Sequence, residues 1–352
     1  MYAYIEHKFS INFIRLLKNL NKFRMGVIMK KKYMFVLILL VVLSLFGFTI
    51  AKMNTKNKKQ GSNTGQQINV VTSFYPMYIA ALNITKDMDH VNVINMTGPK
   101  AGCLHDYQLT PENLITLSTA NVFIVNGGGI ESFLDDVLRN YPDLAIITAS
   151  DGIELLTSEF GHLHEGSTDD EDIELEDAHD HGDYNAHVWM NIGNYMQQVD
   201  NITTGLSNAD SEFALEYAVN AADYTQNLTD LKMEADNIMS SLCGEKVIIF
   251  HDAFMYFADE YGMEVEYVID MDENTTLSAG QIATLVEIIK EEDIHILFAE
   301  EQYGTNIAST VGSETDVDIF ILDSLVTGED NPDSYITGVK KNLEVLGEAF
   351  GK

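Results

Sequence analysis

From Ser211 to Leu242 the chain contains neither glycine nor proline. Along that stretch Phe213, Tyr217, Tyr224, Leu228, Leu231, Ala235 and Ile238 recur at helical spacing. A helix of some 30 residues runs about 45 Å. That is long for one globular lobe and suits a spine joining two. The length of 352 residues favours two compact lobes over a single core for the same reason.

The flanking segments read as α/β units. Before the spine, apolar β-rich runs at Ile68–Ser73, Val91–Met96, Asn121–Asn126 and Ala145–Thr148 alternate with helical patterns. Thr110-Pro111-Glu112 opens one of these helices, with threonine as cap and proline in the first turn. Gly127-Gly128-Gly129 lacks a following Lys-Ser/Thr and reads as a strand-to-helix turn, not a phosphate loop. After the spine, Lys246–Phe250, Val265–Ile269, His295–Ala299 and Val317–Leu322 supply a second series, with helices near Ile282–Lys290 and Pro332–Phe350. Strands alternating with helices imply parallel sheets. The expected fold is therefore α/β, two parallel-sheet lobes joined by a long rigid helix. Its segments are an N-terminal extension with a signal or anchor (1–51), a tether (52–67), a first lobe (68–190), linking helices with the spine (191–242) and a second lobe (243–352).

Charge is distributed unevenly. Residues 1–59 hold 12 of the 21 Lys and Arg and a single acid, Glu6. The rest carries nine basic against 53 acidic residues, a formal balance of −44. Such a body repels nucleic acid and anionic lipid and attracts cations. Met34–Ala51 is an uncharged run of 18 residues preceded by Lys30, Lys31 and Lys32. A basic stretch followed by an apolar one marks the body for export. The run is also near the length needed to span a bilayer, so cleavage at Thr49-Ile50-Ala51 and retention as an anchor both stay open. Met25 or Met29 fits an initiator better than Met1 does. Ala101-Gly102-Cys103 resembles a lipoprotein cleavage site but lies too far beyond the apolar run to serve as one. Cys103 and Cys243 are the only cysteines. The strand expected from Cys243 to His251 spans roughly 25 Å, which would keep the two apart and unbridged if His251 and His105 meet.

Three histidines and an aspartate sit beside apolar runs: His105, His187, His251 and Asp323. Ligands in parallel α/β lobes bind at the carboxyl ends of strands. His251 and Asp323 end expected strands, and His105 falls in a strand-to-helix loop. Neutral imidazoles with one carboxylate make a complete shell for zinc, whereas calcium and magnesium want oxygen. Asp252 reads either as an acceptor orienting His251 or as a helix N-terminal acid. The stretch 159–184 holds His162, His164, His179 and His181 among 11 carboxylates, with no Lys or Arg. It reads as an accessory loop that raises local metal concentration, or as a solvated spacer. His295 reads as core and His90 as surface.

The motifs resemble those of the solute-binding proteins of bacterial ABC importers for zinc and manganese, over about 68–350. Ser73-Phe74-Tyr75-Pro76 is similar to that family's first strand and turn. His105-Asp106-Tyr107 with Thr110-Pro111, His187-Val188-Trp189, Phe250-His251-Asp252-Ala253-Phe254 and Leu322-Asp323-Ser324 are similar to its four ligand segments, and Glu300-Glu301-Gln302 to a further one. Leu104 stands where the family usually has proline. The resemblance implies two lobes around an interlobe cleft, with metal held there by His105, His187, His251 and Asp323. It implies delivery to an ABC permease in the cytoplasmic membrane, from outside that membrane, by a protein most simply monomeric. Zinc-type members carry histidine at the third ligand and a His- and acid-rich loop before the second, so His251 and 159–184 point to Zn2+, with Mn2+ as the alternative.

Two other classes stay open on the residues themselves. Three histidines with an open position are also a hydrolytic zinc shell, but Asp323 would close that position and no His-Glu-x-x-His or paired base is present. A surface adhesin is compatible with an exported acidic body, without any residue that demands it.

Overall fold

The computed structural model describes residues 67–98, 107–157, 184–240, 243–269, 278–300 and 305–349. In the first lobe, β1 (Ile68–Thr72), β2 (Val91–Asn95), β3 (Val122–Val125) and β4 (Ala145–Thr148) form a parallel sheet in the order β2-β1-β3-β4. Helices α1 (Tyr75–Ile84), α2 (Pro111–Ser118), α3 (Leu134–Asn140) and α4 (Ile192–Ala209) accompany it. In the second lobe, β5 (Lys246–Ile249), β6 (Glu264–Val268), β7 (Ile296–Glu300) and β8 (Asp318–Leu322) repeat the topology as β6-β5-β7-β8, again all parallel. Its helices are α6 (Met255–Tyr261), α7 (Ala279–Glu291), α8 (Thr305–Glu314) and α9 (Ser334–Ala349).

Helix α5 (Ala214–Met239) is the expected spine, 26 residues and about 39 Å long. It buries Tyr217, Ala221, Tyr224, Leu228, Leu231, Ala235 and Met239, a stripe at three- and four-residue steps. That stripe lies against α1, α4 and α9. One apolar cluster runs from the first sheet through the spine to the near face of the second sheet. A second cluster, with Ile248, Phe250, Leu285 and Leu297, fills the far face of the second sheet. The strand pleat explains the division: Val247 and Ile249 face the spine, while Ile248 and Phe250 face away.

Several local expectations are corrected. The strand leading to His251 begins at Lys246, not Cys243, because Gly244 turns the chain at φ 83°. Cys243 is exposed in that turn. The helical pattern of Glu131–Arg139 forms a helix, α3, only from Leu134, since Glu131 is pulled into the lobe as a hydrogen-bond acceptor. His295 is exposed: Ile294 beside it takes the inward position just before β7. His90 is packed, not on the surface. Its ring stacks on Phe213 at 3.7 Å and its Nε2 lies 3.0 Å from Asp210.

Candidate metal centre

His187 stands at the start of a 3-10 turn, Val188–Met190, and is fully buried. The turn drives Trp189 into the core, where the indole N–H donates to the Ser324 carbonyl of the second lobe at 2.8 Å. His251 lies two residues beyond β5 and is 4 % exposed. Its backbone, at φ 153° and ψ 130°, occupies a region that glycine reaches easily and side-chain-bearing residues rarely do. The next residue, Asp252, opens the short 3-10 turn Asp252–Phe254.

These three residues converge. The His187 and His251 ring centroids are 4.7 Å apart at 80°. One carboxylate oxygen of Asp252 lies 3.3 Å from His187 Nδ1 and 3.5 Å from His251 Nε2. Among the described residues, His187, His251 and Asp252 form the one group of His, Cys, Asp and Glu whose ligand atoms all lie within 4.8 Å of one another.

The surrounding hydrogen bonds set the tautomers. His251 Nδ1 donates to Glu300 at 2.9 Å, and Glu300 also accepts from the Ser324 hydroxyl. Glu300 ends β7 and is buried. Nε2 of a neutral His251 is therefore a lone pair, facing the Asp252 oxygen across 3.5 Å. Two acceptors that close repel unless a proton or a cation lies between them. On His187, Asn185 does the equivalent work. Its amide nitrogen donates to the Asp252 carbonyl at 2.8 Å, which turns its oxygen toward His187. That oxygen accepts from His187 Nδ1 at 3.0 Å and from the His187 backbone N–H at 2.9 Å. This fixes the His187 tautomer, with the proton on Nδ1 and the acceptor lone pair on Nε2.

The first lobe supports this from below. Asn126, fully buried at the end of β3, donates to the carbonyl of Ala186, next to His187, at 2.9 Å. Gln198 of α4 holds the Asn126 side chain at 2.8 Å. Gly128, at φ 67°, passes so close that a Cβ there would sit 3.3 Å from Ala186 Cα. The buried Glu131 carboxylate accepts from Ser73 Oγ and from the N–H groups of Asn126 and Gly127, at 2.8, 2.7 and 3.0 Å. Burial pushes this carboxyl above the ordinary range, against those three donors.

Asp323 follows β8 and is exposed, and it does not belong to the group of three. Its carboxylate accepts from the Leu325 N–H at 2.8 Å. It lines a crevice of about 280 Å3 with Tyr75 and Pro76 of the first lobe. His105 lies outside the described residues, as do His162, His164, His179, His181 and Met34–Ala51. Asp252, expected as an acceptor orienting His251 or as a helix N-terminal acid, opens the 3-10 turn and stands beside both rings, while the acceptor on His251 Nδ1 is Glu300, whose buried role the sequence reading missed. A carboxylate closing the otherwise apolar strand Ile-Leu-Phe-Ala-Glu was the available signal for Glu300.

Fold and centre together define a two-lobed α/β protein with a histidine–carboxylate cluster suited to a divalent transition metal. The family model of ZnuA, the periplasmic component A of a zinc-uptake complex, matches residues 70–349, and the chain belongs to this family. It is 26% identical over 290 residues to the manganese-binding lipoprotein MntA of Halalkalibacterium halodurans, covering 81% of this chain and 89% of that one. It is 26% identical over 319 residues to the high-affinity zinc uptake system protein ZnuA of Bacillus subtilis, covering 89% and 97%. It is 27% identical over 331 residues to the zinc-binding protein AdcA of Streptococcus pyogenes, covering 90% of this chain but only 61% of that longer protein. Among solved structures, FpvC from Pseudomonas aeruginosa in complex with Mn2+ matches with a TM-score of 0.68 at 21% identity, covering 81% and 98%. The Zn(II)-bound ZnuA-like domain of Streptococcus pneumoniae AdcA matches at 0.66 and 22%, covering 81% and 100%. At these identities the structures establish the shared fold.

Proposed function

We propose that this chain captures Zn2+ outside the cytoplasmic membrane and delivers it to the permease of an ABC importer. The observation that carries the reading is the convergence of two buried imidazoles, each with Nδ1 hydrogen-bonded, beside Asp252, whose carboxylate oxygen faces His251 at Nε2 and His187 at Nδ1. His187 and His251 bind the ion through Nε2. His105 and Asp323 complete the shell from the first and second lobes, with Asp252 as the carboxylate already beside the pair. Nitrogen-rich coordination favours zinc over manganese, calcium or magnesium. The histidines of 159–184 collect zinc weakly and raise its concentration near the centre. Residues 34–51 carry the body across the membrane, and one chain docks on the permease as a monomer.

The test is metal competition. The protein is stripped, dialysed against equal zinc and manganese, and its bound metal counted by mass spectrometry, beside His251→Ala, Asp252→Asn and Asp323→Asn. One tight zinc per chain, lost in His251→Ala, is expected. The two aspartate variants show which carboxylate closes the shell. Retained manganese would keep the transport class and overturn the choice of metal. No tight metal of either kind would overturn the centre itself.

A further inference from the structure

Tyr256 lies in α6 of the second lobe and is buried. Its phenol reaches into the first lobe and uses both of its hydrogen-bonding capacities there. The hydroxyl donates to the Asn185 carbonyl at 2.8 Å and accepts from the Leu156 N–H at 3.0 Å. Leu156 and Asn185 are also joined directly, because the Asn185 N–H donates to the Leu156 carbonyl at 2.8 Å. Thr157 and Tyr184 pair next to them as an antiparallel bridge. The same Asn185 fixes the His187 tautomer and holds the Asp252 carbonyl. One phenol from the second lobe thus grips the backbone of the residue that orients the first lobe's ligand.

We infer that Tyr256 is an interlobe positioning residue: its hydroxyl clamps Leu156 and Asn185, and through Asn185 it holds His187 in register with His251 before metal arrives. The inference rests on the proposed metal reading for its functional consequence and on the hydrogen bonds alone for its structural one. Two features support it. Burial pushes the Tyr256 phenol up to about 12, so it keeps its donor proton at every physiological pH. The helix that carries Tyr256 also packs on the 3-10 turn Val188–Met190 that follows His187. Preorganisation of this kind slows metal release, because a ligand held in place need not be ordered again each time the ion rebinds.

The test compares Tyr256→Phe with Asn83→Ala. Asn83 makes another interlobe bond, from its amide nitrogen to the Pro332 carbonyl at 2.9 Å, and touches none of the centre. In metal-free protein, hydrogen exchange is read at a fixed interval below each variant's melting midpoint. The amides of Leu156 and His187 should exchange faster in Tyr256→Phe and at the wild-type rate in Asn83→Ala. In zinc-loaded protein, release to a chelator should be about tenfold faster in Tyr256→Phe, with one zinc per chain retained, and unchanged in Asn83→Ala. Wild-type exchange and wild-type release in Tyr256→Phe would overturn the inference. So would equal changes in both variants, which would mean general loosening between the lobes. If wild-type protein takes up no zinc, the metal reading fails, and the exchange arm still decides whether Tyr256 holds the His187 segment.

Discussion

Replacing Glu300 with alanine removes one acceptor from two buried donors, the His251 Nδ1–H at 2.9 Å and the Ser324 hydroxyl. A buried donor left unpaired costs about 1–3 kcal/mol. Two such losses in the same pocket should lower the unfolding free energy of the metal-free protein by roughly 2–6 kcal/mol. The effect on zinc is separable. Without Glu300 the His251 ring loses the bond that fixes its tautomer and raises the basicity of Nε2, and such changes cost about 10- to 100-fold in metal affinity. Glu300→Gln retains an acceptor toward His251, and the Ser324 hydroxyl can rotate to accept from the new amide. Its losses should sit at the low end of both ranges. Denaturant titration of metal-free protein and chelator competition for zinc measure the two effects independently. Wild-type zinc affinity in Glu300→Ala, or equal affinity loss in the two variants, would refute the role assigned to this carboxylate.

Protons and zinc compete for imidazole nitrogen, so zinc affinity should fall on acidification if histidines hold the ion; a flat profile in chelator titrations from pH 8 to 5.5 would count against imidazole ligation. Glu131 gives a second pH effect, of opposite sign to the usual carboxylate. Because burial raises its folded value, the native state binds that proton more tightly than the unfolded chain does. Its contribution to stability is full below the ordinary glutamate value of about 4.3 and is lost as pH rises through the raised one. The gap in unfolding free energy between wild type and Glu131→Gln should therefore shift across that window, and a constant gap would show that Glu131 does not titrate there. Deleting residues 160–182 should slow uptake at scarce zinc and leave it unchanged at abundant zinc, as measured by metal accumulation in cells.

The fold was largely legible because its signals are local. Helical periodicity over Ser211–Leu242 marked the spine, and apolar runs bounded by turns marked all eight strands to within a residue or two. The misreadings have a common origin in side-chain direction. His295 abuts an apolar strand and so reads as core, yet the pleat turns it outward. His90 has polar neighbours in sequence and so reads as surface, yet the corner between α4 and α5 brings Phe213 and Asp210 against it. At the centre, His187 and His251 were legible as histidines at the ends of apolar runs. Both aspartates were legible as candidates, Asp323 as a ligand and Asp252 as an acceptor for His251, but not which of them stands beside the pair, because an aspartate three residues after a strand and one directly after it look alike in sequence. Only the 3-10 turn after His251 shows that Asp252 points back to both rings.

The repeated strand order gives a physical reason for this site's position. In each sheet the strand order reverses between its first and third strands, the place where an open α/β sheet leaves a crevice at its carboxyl edge. The registers align the two lobes residue for residue. Thr72 pairs with Ile124 and Ile249 with Phe298, so Asn126 at the end of β3 occupies the place of Glu300 at the end of β7. Both are buried, and each holds its own lobe's histidine segment: Asn126 through the Ala186 carbonyl, Glu300 through the His251 ring. The difference between them follows from what each must hold. Asn126 grips a backbone carbonyl and therefore needs a donor. Glu300 grips an imidazole N–H and therefore needs an acceptor, which as a carboxylate also strengthens the ring as a ligand. By the same alignment the position of His251 is taken in the first lobe by Phe74, which packs edge-on against Trp189 at 5.0 Å. One copy of the crevice thus supplies an imidazole from a strand end. The other fills that position with an aromatic ring and brings its imidazole from the returning segment at His187, so that the two imidazoles meet from opposite lobes.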